Sequence, residues 1–160
     1  MSGMCPECGA SVPEGGTCRD NLHALLILES QIPGLNSPVS HFRAVACYNL
    51  QHPDSMRLTA EGLVALHRSL SEELDGRVSL GKLRRRTRRA YNGPVRVMRR
   101  EGEAEVEWPR GSWPMTVEDL LSVEPEPDAY IARVRQWAQS VRETLDRERS
   151  AGDKLPSRSD

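Results

Sequence analysis

Aromatic residues are scarce in this chain: they make up 4% of 160 residues and include a single phenylalanine. Apolar residues as a group reach only 38%, while 28% of the residues are charged. One domain of this length can bury only a modest core from such a composition, so a bound metal would add useful stability. The composition therefore makes metal-binding residues worth searching for.

Long apolar runs are missing as well. No stretch approaches the ~20 apolar residues that cross a bilayer, so the sequence predicts no membrane segment. The first residues, Met1 to Cys5, lack the basic and apolar regions of a signal peptide. We therefore expect a cytoplasmic protein, in which thiols stay reduced and bind metals instead of forming disulfides.

All four cysteines lie before residue 48. The segment Cys5-Pro6-Glu7-Cys8-Gly9 places two thiols in a turn that directs both sulfurs toward one point, and Cys18 follows. Thiolates in this arrangement suit Zn²⁺, which takes four N or S ligands in a tetrahedron when its role is structural. A Cys-x-x-Cys pair can also be redox-active, but no βαβ pattern surrounds this one, so a metal is the favoured interpretation.

The apolar spacing predicts a mainly α protein, an up-down helical bundle of about four helices with an N-terminal zinc knuckle. Residues 1–149 are expected to form a single domain. Its predicted parts are the knuckle (1–18), three helices (19–76), a charged irregular excursion (77–126) and the last helix (127–149). Residues 150–160 are expected to form a disordered tail.

Antiparallel packing of the first two helices decides which residues can share a metal. A tight link at Gly34 places Cys18, at the start of one helix, beside His52, at the end of the next. The second helix separates His41 from His52 by roughly 16 Å at 1.5 Å per residue, so one ion cannot easily bind both. The predicted zinc ligands are Cys5, Cys8, Cys18 and His52, with Cys47 as the reserve fourth ligand. The alternative is free cysteines in a flexible N-terminus, with Cys47 in the core.

A second cluster is predicted in the interior of the bundle. Folding the third helix back on the second brings His67 to the level of His41, and Glu29 of the first helix reaches the same layer. One carboxylate and two imidazoles facing inward can hold a catalytic metal with open positions for water. The favoured alternative is that these residues form a buried hydrogen-bond network, or that some of them face solvent.

Charge is segregated along the middle of the chain, although the net charge is only −1. Residues 82–100 include nine Lys or Arg and no acid, whereas residues 101–128 include nine Asp or Glu and one Arg. The run from Arg84 to Arg89 can bind phosphates without reading base sequence. Few aromatic residues are interleaved for base stacking, and the acidic stretch can fold back to neutralise the run. Nucleic-acid binding is therefore not the favoured interpretation.

The motifs together resemble a family of uncharacterised, mostly bacterial proteins, a domain of unknown function. Its members begin with Cys-Pro-x-Cys-Gly, place a third Cys at the head of the first helix and carry a His-x(6)-Tyr-x-x-Gln-His-Pro segment. Cys5 to Gly9, Cys18 and His41 to Pro53 match these features. The next helix of the family has a His, which corresponds to His67.

The C-terminal half of the chain continues the resemblance. The family's Trp-then-Pro, Thr-Val-x-Asp and Trp-Ala-x-Ser-Val segments correspond to residues 108–109, 116–119 and 137–141. The chain departs from the family at Arg142, where a second Trp is common. The resemblance covers most of residues 5 to 142 and implies a fold more than an activity.

Three classes of function remain. The favoured one is a zinc-binding interaction or scaffold module that binds a protein partner and performs no chemistry of its own. The second is a metal-dependent hydrolase or transferase that uses Glu29, His41 and His67. The third is a nucleic-acid binder that uses the Arg run. The sequence has no Ser-His-Asp order, phosphate-binding Gly loop or dinucleotide fingerprint, so it leaves enzymatic activity undecided.

Overall fold

Helices dominate the computed structural model, which describes residues 3–35, 37–93, 96–122, 124 and 126–153. These residues contain no strand beyond two isolated bridges, Met4 with Ser11 and Leu58 with Met98. The prediction of a mainly α protein is confirmed. The six helices are α1 (Cys18–Gln31), α2 (Pro38–Gln51), α3 (Ala60–Leu74), α4 (Leu80–Asn92), α5 (Val117–Leu121) and α6 (Pro127–Asp153).

Local signals set the ends of the first three helices. At the start of α1, the backbone N–H of Thr17 donates to the Asp20 carboxylate over 2.7 Å, as in a capping box. The link after α1 turns at Gly34, whose φ of +90° favours glycine. Pro38 occupies the first turn of α2, and the Thr59 hydroxyl caps α3 by accepting from the N–H of Gly62.

The core lies around α2, which packs on both α3 and α6, while α5 covers α1. The large side chains that are fully buried include Leu25, Tyr48, Leu50, Leu63, Leu70, Trp137 and Leu145. Aromatic residues are few, yet two of them stand at the centre of this core. The end of α2 is therefore held in a well-packed environment.

The prediction that residues 77–126 are irregular is corrected by α4 and α5. The Ser79 hydroxyl caps α4 by accepting from the N–H of Lys82, and arginine is a good helix former even in an uninterrupted run. The N–H of Thr116 donates to the Asp119 carboxylate at the start of α5, over 2.8 Å. The rest of the described part of this segment is irregular.

The last helix is longer than predicted. α6 continues past residue 149 to Asp153, so residues 150–153 are helical instead of belonging to a disordered tail. The Arg, Glu and Leu residues of 142–149 are good helix formers, and no proline follows before residue 156, so the helix extends into this last turn. The remainder of the predicted tail, residues 154–160, lies outside the described residues.

Two hydrogen bonds tie the segment before α6 to the end of α2, and a third joins α6 itself to the same end. The indole N–H of Trp108 donates to the carbonyl of Leu50 over 2.7 Å. The Gln51 side chain donates to the Met115 carbonyl over 2.7 Å and accepts from the Trp137 indole over 3.3 Å. Gln51 is fully buried, so these bonds satisfy an amide that would be costly to leave unpaired. They fix the position of the next residue, His52.

Candidate metal centre

Four metal-ligating side chains converge at the N-terminal end of the molecule. The side chains of Cys5, Cys8, Cys18 and His52 are buried, and their ligand atoms all lie within 4.8 Å of one another. Among the described residues, no other group of three or more His, Cys, Asp or Glu is placed to hold a metal ion. The structure thus brings together the four residues predicted to bind zinc.

The turn around Gly9 places the first two sulfurs. The Gly9 N–H donates to the Cys5 carbonyl over 2.9 Å, and the Cys5 N–H donates to the Ala10 carbonyl over 2.8 Å. Gly9 has a φ of +88°, and a Cβ there would lie 3.1 Å from the carbonyl oxygen of Gly111. The N–H of Ala10 also approaches the Cys8 sulfur at 3.4 Å. A glycine is therefore required at this position of the turn.

Two antiparallel helices supply the other two ligands. Cys18 is the first residue of α1, and His52 follows the last residue of α2. The His52 Nδ1 lies 2.7 Å from the Tyr48 carbonyl, to which it donates when Nε2 is left free to face the sulfurs. The imidazole also stacks on the Tyr48 ring, with centroids 3.9 Å apart. The tautomer and the ring orientation are both set for metal binding through Nε2.

The spacing of the ligand atoms matches a tetrahedral zinc site. The Cys8 and Cys18 sulfurs are 3.6 Å apart, and the Cys5 sulfur is 3.6 Å from Nε2 of His52. Zn–S bonds of about 2.3 Å and a Zn–N bond of about 2.0 Å at tetrahedral angles give separations of roughly 3.8 Å (S to S) and roughly 3.5 Å (S to N). The donor set and its dimensions therefore fit Zn²⁺.

Without a cation, the electrostatics of the cluster stabilise one thiolate and disfavour the ionisation of a second cysteine. Hydrogen bonds from Cys18 and Cys8 lower the pKa of the Cys5 thiol, while contacts with Cys18 and Cys5, added to burial, raise the pKa of Cys8. Burial lowers the pKa of His52, but hydrogen bonds to Cys18 and Cys5 outweigh it and raise the value to about 9. A divalent cation among the sulfurs reverses this preference, because it stabilises every thiolate at once.

Glu7, between the first two cysteines, anchors the turn to the loop after α2. Its buried carboxylate accepts the backbone N–H of Asp54 over 2.7 Å and the hydroxyl and backbone N–H of Ser55. Its backbone carbonyl accepts the N–H of Gly111 over 2.8 Å. The Cys-Pro-x-Cys motif allows any residue at position 7. The one sign in the sequence that Glu7 has a structural role is its charge between two ligand residues.

Glu7→Ala is expected to weaken zinc binding by roughly tenfold, because partners that hold a ligand loop in place contribute at about that level. The substitution leaves the N–H groups of Asp54 and Ser55 without their carboxylate acceptor. Competition against a chromophoric chelator measures the change in affinity. Glu101→Ala, at an exposed position, is the control that should keep the native affinity. Equal zinc affinity in the two variants would contradict the anchoring role.

The predicted interior cluster divides into two pairs. His41 Nδ1 lies 2.8 Å from Glu29 Oε2, and the Tyr130 hydroxyl donates to the other oxygen of the same carboxylate. His67 instead faces α6, where its Nε2 lies 3.0 Å from Oδ1 of Asp146. The structure therefore does not bring Glu29, His41 and His67 together around one ion. Glu29, which is buried, and His41, whose side chain is 48% exposed, form a hydrogen-bonded pair. His67 lies outside this pair, and its close contact with Asp146 lacks hydrogen-bond geometry.

Tyr130 and Asp146, the partners supplied by α6, were not identified from the sequence. Tyr130 lies one turn before Val134 on the apolar face of α6, and this spacing is the one available signal. Burial and the hydrogen bond to Glu29 raise the pKa of the Tyr130 hydroxyl, which therefore stays protonated and donates. Tyr130 thus supplies a permanent donor to a carboxylate inside the bundle.

Tyr130→Phe is expected to lower the free energy of unfolding by about 1–3 kcal/mol, because it leaves one oxygen of the buried Glu29 carboxylate without its donor. Urea denaturation followed by circular dichroism measures the loss. Combining it with Glu29→Leu should cost less than the sum of the two single changes, since both act on one hydrogen bond. Additive losses would contradict the pairing.

Cys47 does not join the four ligands. It lies on the buried face of α2, where burial raises the pKa of its thiol above the ordinary range. The structure places this reserve ligand in the core, as the alternative interpretation of the cysteines anticipated.

A family model described as a family of unknown function, DUF5946, matches residues 3–146, whereas no curated protein and no solved structure matches the chain. In the described part of the chain, every helix is too short or too polar to cross a bilayer. The resemblance to a family without a known function is confirmed. The chain belongs to the family of unknown function DUF5946.

Proposed function

We propose that this protein is a zinc-stabilised helical interaction module. In this proposal Cys5, Cys8, Cys18 and His52 bind one Zn²⁺, which joins the knuckle to α1 and α2, and the surface of the bundle binds a protein partner. The observation that supports it most strongly is the closed, buried set of four protein ligands. Structural zinc sites have four such ligands, whereas catalytic sites leave one position for water or substrate.

The surroundings of the cluster also favour a structural role. All four ligand residues are at most 6% exposed, so substrate has no route to the ion. Among the open clefts on the described surface, one is lined by Asp54, Arg57, residues 99–103 and Glu105, and another lies between α2 and α4. Neither cleft includes one of the four ligands. The clefts are therefore candidates for partner binding and not for zinc chemistry.

The two other functions have less support. A metal-dependent hydrolase or transferase needs Glu29, His41 and His67 at one ion, and His67 pairs with a different helix. A nucleic-acid binder needs the cations of α4, which can equally bind an acidic protein surface. None of the four cysteines forms a disulfide, which fits the reducing cytoplasm that we propose as the compartment.

Elemental analysis tests the proposal on protein purified without added metal or a His tag. One zinc per chain is expected in the native protein and also in a His41→Ala, His67→Ala double variant. Two metals per chain, falling to one in the double variant, would contradict the proposal and favour an interior catalytic site. Zinc below half an equivalent in freshly purified native protein would contradict it as well.

A further inference from the structure

Helix α4 is a cationic surface with little neutralisation. It carries six Lys or Arg and no acid, and Arg86 forms an ion pair with Glu72 of α3. The other five cationic side chains are exposed, and the described residues offer them no ion pair: Lys82, Arg84, Arg85, Arg88 and Arg89. Holding this many like charges on one short helix costs free energy, which an anionic surface recovers.

An apolar groove runs beside these cations. Phe42 of α2 and two leucines of α4, Leu80 and Leu83, line its floor, and Arg84 and Arg88 stand at its rim. The groove is open and has a volume of about 360 Å³. That volume accommodates an apolar side chain together with flanking carboxylates, whereas a nucleic-acid backbone would leave the apolar floor uncovered. The groove therefore favours an acidic peptide segment with an apolar anchor.

The chain itself presents such a segment elsewhere on its surface. Residues 101–107 carry four exposed glutamates in alternate positions. Met98, which is 51% exposed, precedes them, with Arg99, which pairs with Asp54, and the exposed Arg100 in between. Only Glu103 forms an ion pair within the described residues, with Arg96. The charge pattern allowed the acidic stretch to fold back and neutralise the Arg run in the same chain. In the described part of the structure, no ion pair joins the two.

We propose that the groove between α2 and α4 binds residues 98–107 of a second copy of this chain. A two-fold axis makes the contact reciprocal, so each copy presents its basic groove to the acidic segment of the other. Met98 supplies the apolar anchor, and Glu105 and Glu107 face Arg84 and Arg88. This inference rests on the proposed function as an interaction module and names the second copy as the partner.

Charge reversal tests the pairing. One variant carries Arg84→Glu with Arg88→Glu, and the other carries Glu105→Arg with Glu107→Arg. Light scattering is expected to give the mass of a dimer for the native protein at low salt, with dissociation as ionic strength rises. Each variant alone should dimerise at least tenfold more weakly. An equimolar mixture should recover the dimer, because both contacts of the mixed pair are again between opposite charges.

Several outcomes overturn the inference. A native protein that stays monomeric at low salt contradicts it, as does a dimer that neither variant weakens. A monomer that binds duplex DNA or anionic phospholipid vesicles through Arg84 and Arg88 assigns the surface to another partner.

Circular dichroism verifies that each variant is folded, and the Arg84→Gln, Arg88→Gln variant is the milder substitute if the charge reversal prevents folding. Zinc content of each sample separates the two proposals: a zinc-loaded monomer overturns only the dimer, and a metal-free dimer overturns only the zinc centre.

Discussion

Cys8→Ala is expected to remove the bound zinc and lower the melting temperature by more than about 10 °C. Cys8 is 1% exposed, and its loss leaves three ligands, two of them buried cysteines, without a complete tetrahedron. Structural zinc contributes apparent binding free energies on the order of 10 kcal/mol in small domains. Each kcal/mol corresponds to about 2–4 °C for a chain of this size, so losing even part of that contribution gives a large shift.

Cys47→Ala is the matched control. It removes the same type of buried thiol from the same end of the bundle, but at a position outside the four ligands. It should retain one zinc and lose only on the order of 1 kcal/mol, as a small core truncation does. Zinc content and thermal unfolding distinguish the two variants. An unchanged melting curve for Cys8→Ala, or loss of zinc in Cys47→Ala, would contradict the ligand set.

Trp137→Ala is expected to lower the free energy of unfolding by about 3–5 kcal/mol, the range for truncating a buried tryptophan. Trp137 is fully buried on α6, and its indole donates to the side chain of Gln51. Because Gln51 precedes His52, the substitution should also weaken zinc binding. Urea denaturation of the zinc-loaded protein gives the stability change, and chelator competition gives the change in affinity.

Ile27→Ala provides the comparison for Trp137. Ile27 is 52% exposed on α1, so its truncation should change stability by roughly 0.5 kcal/mol or less. A loss below 1 kcal/mol for Trp137→Ala would show that α6 is not part of the core.

The sequence was informative where structure depends on nearby residues. The breaks at Pro33-Gly34 and Pro53 set the lengths of α1 and α2. In an antiparallel pair of these lengths, Cys18 lies beside His52. Because Cys18 and His52 lie at the same end of the two helices, Cys5 and Cys8 can join them only at that end. His41 beside Glu29 follows from the same geometry, and the structure has that contact at 2.8 Å.

The partners of Glu29 and His67 depended on where α6 packs, and local sequence patterns do not determine that packing. Tyr130 reaches Glu29 across 101 residues of sequence, and His67 lies beside Asp146 of the same helix instead of beside Glu29. Likewise, α4 was missed because six cations in one run indicate electrostatic repulsion more directly than they indicate a helix. Its N-cap, Ser79, and two leucines that face the groove, Leu80 and Leu83, outweigh that repulsion.

X-ray absorption at the zinc edge tests the central claim most directly. The predicted ligand set requires three sulfurs at about 2.3 Å and one nitrogen at about 2.0–2.1 Å around a four-coordinate ion. Four sulfurs would mean that Cys47 replaces His52, and a shell of nitrogen and oxygen alone would place the metal away from the knuckle. Either result would contradict a zinc ion bound by Cys5, Cys8, Cys18 and His52.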